Sequence, residues 1–267
     1  MKVGFIGLGT QGKYLAVNLA EAGHDLMVYD IRREPLDVLA QARAKIARSP
    51  KEVGAHAEVV EICVLNDAQV DEVVAGPEGV LAGAARGTII CVHSTIDPAT
   101  ITRLAAVAEA KGVELIDVPV SGSENGAKAK TMSYMVGGST TAFARCKPLF
   151  ETSGPKITHC GPLGSGIRAK IAHQMIIAVN MLAAYEGMRL GIESGLSPEI
   201  LTKVVHEGAA QSRMADNWFN MPLRASSREV FYKDLQIGLK FAHDLKLTAP
   251  GAALAQQMLD RIVPTKG

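Results

Sequence analysis

Six residues near the N-terminus, Gly7-Leu8-Gly9-Thr10-Gln11-Gly12, constrain this chain more than any other stretch, because of what flanks them. Lys2-Val3-Gly4-Phe5-Ile6 before them is a short apolar run. Lys13 to Ala20 after them carries apolar residues at helical spacing and closes at Gly23. Asp25-Leu26-Met27-Val28-Tyr29 then reads as a second strand, and Asp30 ends it, 18 positions beyond Gly12. A glycine triplet alone says little. Between a strand and a helix, with an acid at that distance, it reads as a βαβ unit that binds a dinucleotide. Gly7 permits the tight turn, Gly9 lets backbone approach a pyrophosphate, and Gly12 lets helix and strand pack closely. The phosphates would rest on the helix's unpaired N–H groups.

Composition narrows the rest. With 267 residues, 48% hydrophobic and 21% charged, the chain suits one large or two modest globular domains. A net charge of +1 with no run of like charge argues against a nucleic-acid partner. The first strand begins at once, with no leader ahead of it, so a cytoplasmic protein is expected. Ile171 to Leu190 is apolar, yet it contains His173, Gln174, Asn180, Glu186 and Arg189, so a buried helix is expected there rather than a membrane span. Cys63, Cys91, Cys146 and Cys160 lack CxxC spacing and read as core thiols in a reducing compartment, without disulfide or zinc. The seven histidines are scattered, and no metal site is expected.

Short β-rich runs alternate with helical stretches over the first 160 or so residues. The strand candidates are Lys2–Ile6, Asp25–Tyr29, Val59–Leu65, Thr88–His93, Val113–Val118, Met132–Val136 and Lys156–Cys160. Helices such as Pro98–Lys111 and Thr140–Glu151 lie between them, which implies a mainly parallel sheet covered by helices. After Cys160 the pattern changes. Ile167 to Ser194 keeps a helical period, Gly195 stops it, and Ser197-Pro198 starts the next helix. Pro198–His206, Phe231–Leu245 and Gly251–Val263 also read as helices. The expectation is an α/β N-terminal domain over residues 1–162, a long interdomain helix, and an all-helical C-terminal domain over 163–267.

Four further stretches carry chemistry. Val92-His93-Ser94-Thr95-Ile96-Asp97-Pro98 and Asp117-Val118-Pro119-Val120-Ser121-Gly122-Ser123 fall at the carboxyl ends of strands, where open α/β sheets bind ligands. Gly166-x-x-x-Lys170-x-x-x-Gln174 puts Lys170 and Gln174 one turn apart on one helix face. Lys233-Asp234-Leu235 stands at the expected head of a C-terminal helix. Oxidising an alcohol with a nicotinamide needs a proton acceptor and a substrate anchor. Lys170, flanked by Ile167 and Ile171, would be partly desolvated, which favours a neutral amine able to accept a proton. A lone helical lysine is more often solvated; Gly166 before it and Gln174 after it favour catalysis. Ser121 and Gly122 offer a hydroxyl and free N–H groups to a carboxylate, the alternative being an ordinary helix cap. Arg213 and His173 are left outside the site for want of any such pattern.

These motifs together resemble the β-hydroxyacid dehydrogenase family, which includes 3-hydroxyisobutyrate dehydrogenase and tartronate semialdehyde reductase. The resemblance runs nearly end to end. It rests on the glycine turn, Ser94-Thr95-Ile96-x-Pro98, Asp117-x-Pro119-Val120-Ser121-Gly122, Met135-Val136-Gly137-Gly138, Gly166-x-x-x-Lys170 and Lys233-Asp234-Leu235. It implies a Rossmann domain, a long helix and a helical domain through which members form homodimers or homotetramers. It implies that Lys170 is the catalytic lysine and that Ser121 and Gly122 hold the substrate carboxylate, with Gln174 beside it where the family has Asn. The cofactor set it gives is Gly7, Leu8, Gly9, Thr10, Gln11, Gly12, Asp30, Leu65, Thr95 and Lys233. Three departures, Gln174 for Asn, Ser123 for the family's third-position Gly and a compressed stretch before Lys233 in a somewhat short chain, bear on the substrate rather than on the reaction class.

The expected activity is hydride transfer between a nicotinamide cofactor and a small carboxylate-bearing 3-hydroxy acid or semialdehyde. The alternatives are a non-catalytic nucleotide-binding or redox-sensing protein of the same fold, or a related imine reductase. Lys170, Ser121 and Thr95 together favour the enzyme, and Lys170 counts against the imine reductase. Asp30 favours NAD over NADP, since a carboxylate accepts from the ribose 2′-OH and repels a 2′-phosphate. Arg32 and Arg33 leave NADP possible.

Overall fold

In a computed structural model, residues 1–221 and 225–263 are described. The chain divides into two compact units, Met1–Lys170 and Ile171–Gly267.

The first unit runs β1 (Lys2–Ile6), α1 (Gly12–Glu21), β2 (Asp25–Tyr29), α2 (Arg33–Gln41), β3 (Lys45–Ile46), α3 (Pro50–His56), β4 (Val59–Ile62), α4 (Asp67–Ala75), β5 (Ile89–Val92), α5 (Pro98–Glu109), β6 (Glu114–Asp117), β7 (Val120–Ser121), α6 (Ser123–Lys128), β8 (Ser133–Gly137), α7 (Thr140–Glu151) and β9 (Lys156–Gly161). The sheet order is β3-β2-β1-β4-β5-β6-β8-β7, with β9 also paired to β8. Its first six strands follow the doubly wound order, and the chain reverses direction across the sheet between β1 and β4. All of these six pair in parallel. Every residue of β4 and β5 is buried, because helices cover both faces of a parallel sheet. Phe5, Leu15, Leu19, Val28, Tyr134 and Phe150 anchor the core.

α8 (Ser165–Glu193) leaves the first unit and continues into the second, which adds α9 (Pro198–Glu207), α10 (Arg213–Asp216), α11 (Ala225–Asp244), α12 (Pro250–Gln257) and α13 (Leu259–Ile262). Ala178, Met181 and Leu182 of α8 share a core with Leu235 of α11, Ala252 and Ala255 of α12, and Leu259 and Ile262 of α13. Ser197 caps α9 through the Ile200 amide, and Pro198 fills its first turn.

The sheet is mainly parallel as expected, and four details were not legible in the sequence. β8 meets β6 and β7 antiparallel, so the far edge of the sheet is mixed. β3 has only two residues, too few to show an alternating pattern. α11 begins at Ala225, so Lys233 lies inside a helix and not at its head; Ser227 to Val230 show no apolar period to betray that first turn. α8 is only partly buried. It is long and apolar enough to cross a membrane by length and composition, with 28% of its most apolar window covered. One row of its side chains feeds the core, while Ile176 is 61% and Leu190 73% exposed.

Candidate active site

The glycine turn leaves β1 at its carboxyl end. Gly7 has φ +91°, and a Cβ there would strike the Cys63 carbonyl, so only glycine fits. A Cβ on Gly12 would strike the Gly7 carbonyl, which is what brings α1 hard against the turn. Gly9 is different: a Cβ there would meet nothing within 4 Å, so its face is open to a ligand. No side chain caps the first amides of α1. An open glycine face before an uncapped helix N-terminus fits a pyrophosphate.

Asp30 follows β2 and is buried. Its Oδ2 accepts the Leu8 amide at 2.6 Å, and its Oδ1 accepts the Arg32 amide at 2.8 Å. The Arg32 guanidinium then forks onto both oxygens at 3.0 and 3.1 Å. Burial pushes the carboxyl up, but the bonds from Arg32 and Leu8 outweigh it and hold Asp30 below the usual carboxylate range. Leu65, beyond β4, is 54% exposed. Ile31, directly after Asp30, is 85% exposed and was not among the expected residues. Since β2 and β4 flank β1, these two apolar side chains stand on loops either side of the glycine turn.

Thr95 follows β5 and is half-buried, as are Ser121 and Gly122 after β6. The strands β1, β2, β4, β5 and β6 run parallel, so the residues that follow them all gather at one edge of the sheet. α8 starts at the same edge. Asp117, last in β6 and fully buried, accepts the Gly164 amide at 2.6 Å and the Ile167 amide at 2.7 Å. Desolvation raises the Asp117 carboxyl above its usual range, and those amides offset part of the rise. The approach is close: a Cβ on Gly166 would collide with the Met135 carbonyl. Lys170, one turn beyond Ile167, is only 7% exposed.

In the second unit, the buried Gln174 donates from Nε2 to Asp234 Oδ2 at 2.6 Å. Lys233 donates from Nζ to Asp234 Oδ1 at 2.7 Å. Asp234 therefore holds two of the expected site residues. The sequence pattern offered no role for it beyond its place in Lys233-Asp234-Leu235.

Residues 2–161 match the NAD binding domain of 6-phosphogluconate dehydrogenase, and residues 164–267 match the NAD-binding domain of NADP-dependent 3-hydroxyisobutyrate dehydrogenase. The 3-hydroxyisobutyrate dehydrogenase of Pseudomonas aeruginosa is 34% identical over 96% of this chain and 90% of that protein. The chain belongs to the β-hydroxyacid dehydrogenase family. The 2-hydroxy-3-oxopropionate reductase of Escherichia coli is 34% identical over 100% of this chain and 93% of the reductase. The solved 3-hydroxyisobutyrate dehydrogenase of Mycobacterium tuberculosis, bound to L-serine, is 28% identical and superposes with a TM-score of 0.88, covering 99% of this chain and 96% of that one. For the probable mitochondrial enzyme of Dictyostelium discoideum, 38% identical, the chain spans 65% of the relative's length. Imine reductases at 16–17% identity share the fold alone. Membership of this family makes the chain a binder of a nicotinamide dinucleotide.

Proposed function

We propose that this protein moves a hydride between a nicotinamide dinucleotide and a small 3-hydroxy acid or its semialdehyde. The observation that carries the reading is Lys170. It is a buried lysine on a helix whose first turn is bound to Asp117, at the sheet edge where Thr95, Ser121 and Gly122 also lie. When bound, the nicotinamide accepts or returns the hydride. Lys170 takes the hydroxyl proton during oxidation and returns it in the reverse direction. Ser121 and Gly122 hold the substrate carboxylate. Thr95 borders the nicotinamide side. Gln174, one turn on, borders the substrate with its amide oriented by Asp234.

Gly7 to Gly12 would hold the pyrophosphate, Ile31 and Leu65 would flank the adenine, and Lys233 would border the cofactor. Asp30 would hold the ribose, favouring NAD. Arg32 covers that acid: its side chain is 56% exposed while that of Asp30 is 5% exposed, so the guanidinium has room to swing into solvent and leave the carboxylate to a ribose hydroxyl. The same arginine leaves NADP as a secondary cofactor. The proposal extends to a homodimer or homotetramer, supported by the exposed row Ile176, Val179 and Leu190 on α8. It also extends to a cytoplasmic location, supported by four free cysteines.

The test is a screen of three- and four-carbon hydroxy acids and semialdehydes, following nicotinamide absorbance. Turnover of at least one acid, absent for the matched alcohol without a carboxylate, is expected. Tight dinucleotide binding with no turnover of any of them would overturn the reading in favour of a non-catalytic sensor.

A further inference from the structure

β4 carries a glutamate where a core strand calls for an apolar residue. Glu61 is 2% exposed and stands beside Phe5 of β1 and Cys91 of β5 in the strand register. Its partner is His93, just past β5, whose Nε2 lies 3.0 Å from Glu61 Oε2. The ring's other nitrogen, Nδ1, lies 2.9 Å from the Val118 carbonyl. A carbonyl only accepts, so Nδ1 carries a hydrogen and donates it. One proton therefore occupies the Nε2–Oε2 contact, whichever atom holds it. Phe5, Tyr134 and Phe150 enclose the ring, with centroids 6.2, 6.0 and 6.1 Å away. Glu61 Oε1 is buried with no hydrogen-bond partner, so this arrangement has a cost that an apolar pair would avoid.

The placement gives that cost a use. Val118 joins β6 to the Pro119-Val120-Ser121-Gly122 segment. Its amide is bound to the Val92 carbonyl at 2.8 Å, and its own carbonyl is held by His93. His93 is also two residues before Thr95. We propose that His93, oriented by Glu61, is a positioning residue: it clamps the Val118 carbonyl and so fixes the Ser121–Gly122 loop against the Thr95 segment. The clamp rests on the hydroxy-acid reading only for its kinetic consequence.

Two variants separate the two ring contacts. Asn presents an amide nitrogen near the place of Nδ1, whereas Gln presents one near the place of Nε2. His93→Asn keeps the donor to Val118 and loses Glu61; His93→Gln does the reverse. Hydrogen exchange followed by mass spectrometry reads the loop without any assay of activity. In His93→Gln, the segment 119–127 should exchange roughly tenfold faster, while 7–13 stays at the wild-type rate. His93→Asn should stay close to wild type in both segments. The KM for the hydroxy acid should rise roughly tenfold in His93→Gln alone, with the KM for dinucleotide unchanged. If His93→Gln fails to fold, His93→Leu tests the same clamp: it fills the place of the ring with no donor to Val118, so segment 119–127 should again exchange faster than in His93→Asn. Equal acceleration in both His93 variants, or acceleration spread evenly over the sheet, would overturn the clamp. A wild type with no dehydrogenase activity removes the hydroxy-acid reading, and the exchange result still decides the role of His93.

Discussion

Asp117 accepts the backbone amide of Ile167 at 2.7 Å, across 50 residues of sequence, and so ties the end of β6 to the first turn of α8. Lys170 lies one turn further along that helix. The tie sets the depth and rotation at which the lysine leaves the sheet edge. Asp117→Asn replaces one acceptor oxygen with a donor that faces an amide. It should cost about 1–3 kcal/mol of stability and lower kcat with it. Because burial raises the Asp117 carboxyl, its contribution to stability is complete below the ordinary carboxylate pKa and is lost as pH rises through the raised value. The variant's deficit should therefore narrow as pH rises above the ordinary carboxylate range in denaturant titrations, and a deficit that widens would contradict the sign.

Lys170→Ala should lower kcat by roughly a hundredfold to ten-thousandfold, the range of a positioned acid–base group. Dinucleotide affinity, measured by fluorescence titration, should change little, because the pyrophosphate site is the glycine turn. Retention of most of the turnover would remove Lys170 from the reaction.

Asp30→Asn should raise kcat/KM for NADP relative to NAD, and Arg32→Ala should lower it. The wild-type preference should be flat with pH over the working range. Asp30 is held below the usual carboxylate range, so its contribution is present above that range and is lost only as pH falls through the lowered value. A preference that titrates near about pH 7 would point to a different group.

Ser123 has φ +56°, a left-handed conformation that costs a non-glycine residue about 1–2 kcal/mol. Ser123→Gly removes that strain and gives back about 0.5–1 kcal/mol in backbone entropy. The net gain should be up to about 1 kcal/mol, seen as a rise in Tm of a few degrees. Ser123→Ala should show no gain.

Ile176 and Leu190 lie exposed on α8. Ile176→Glu with Leu190→Glu should reduce the particle to a monomer by light scattering while leaving the fold intact by circular dichroism. A wild type that is already monomeric at micromolar concentration would end the oligomer proposal.

The amino-acid sequence alone settled the parallel sheet, the glycine turn, the long helix and the helical second half. Each of these depends on local pattern: β4 and β5 are apolar nearly throughout, α8 keeps its period, and Ser197-Pro198 announces α9 within two residues. It also singled out Lys170, Ser121 and Asp30 by their motifs. What those side chains touch was decided by the tertiary structure. Gln174 meets Asp234 60 positions away, Asp117 meets Ile167 50 away, and Glu61 meets His93 32 away. Such partners leave no periodic trace, because they are set by which strand ends and helix turns the topology brings together. Arg32 on Asp30 is the converse case. The two are only two residues apart, but whether an arginine covers the acid or turns outward depends on the depth at which β2 buries Asp30, and only the folded sheet sets that depth.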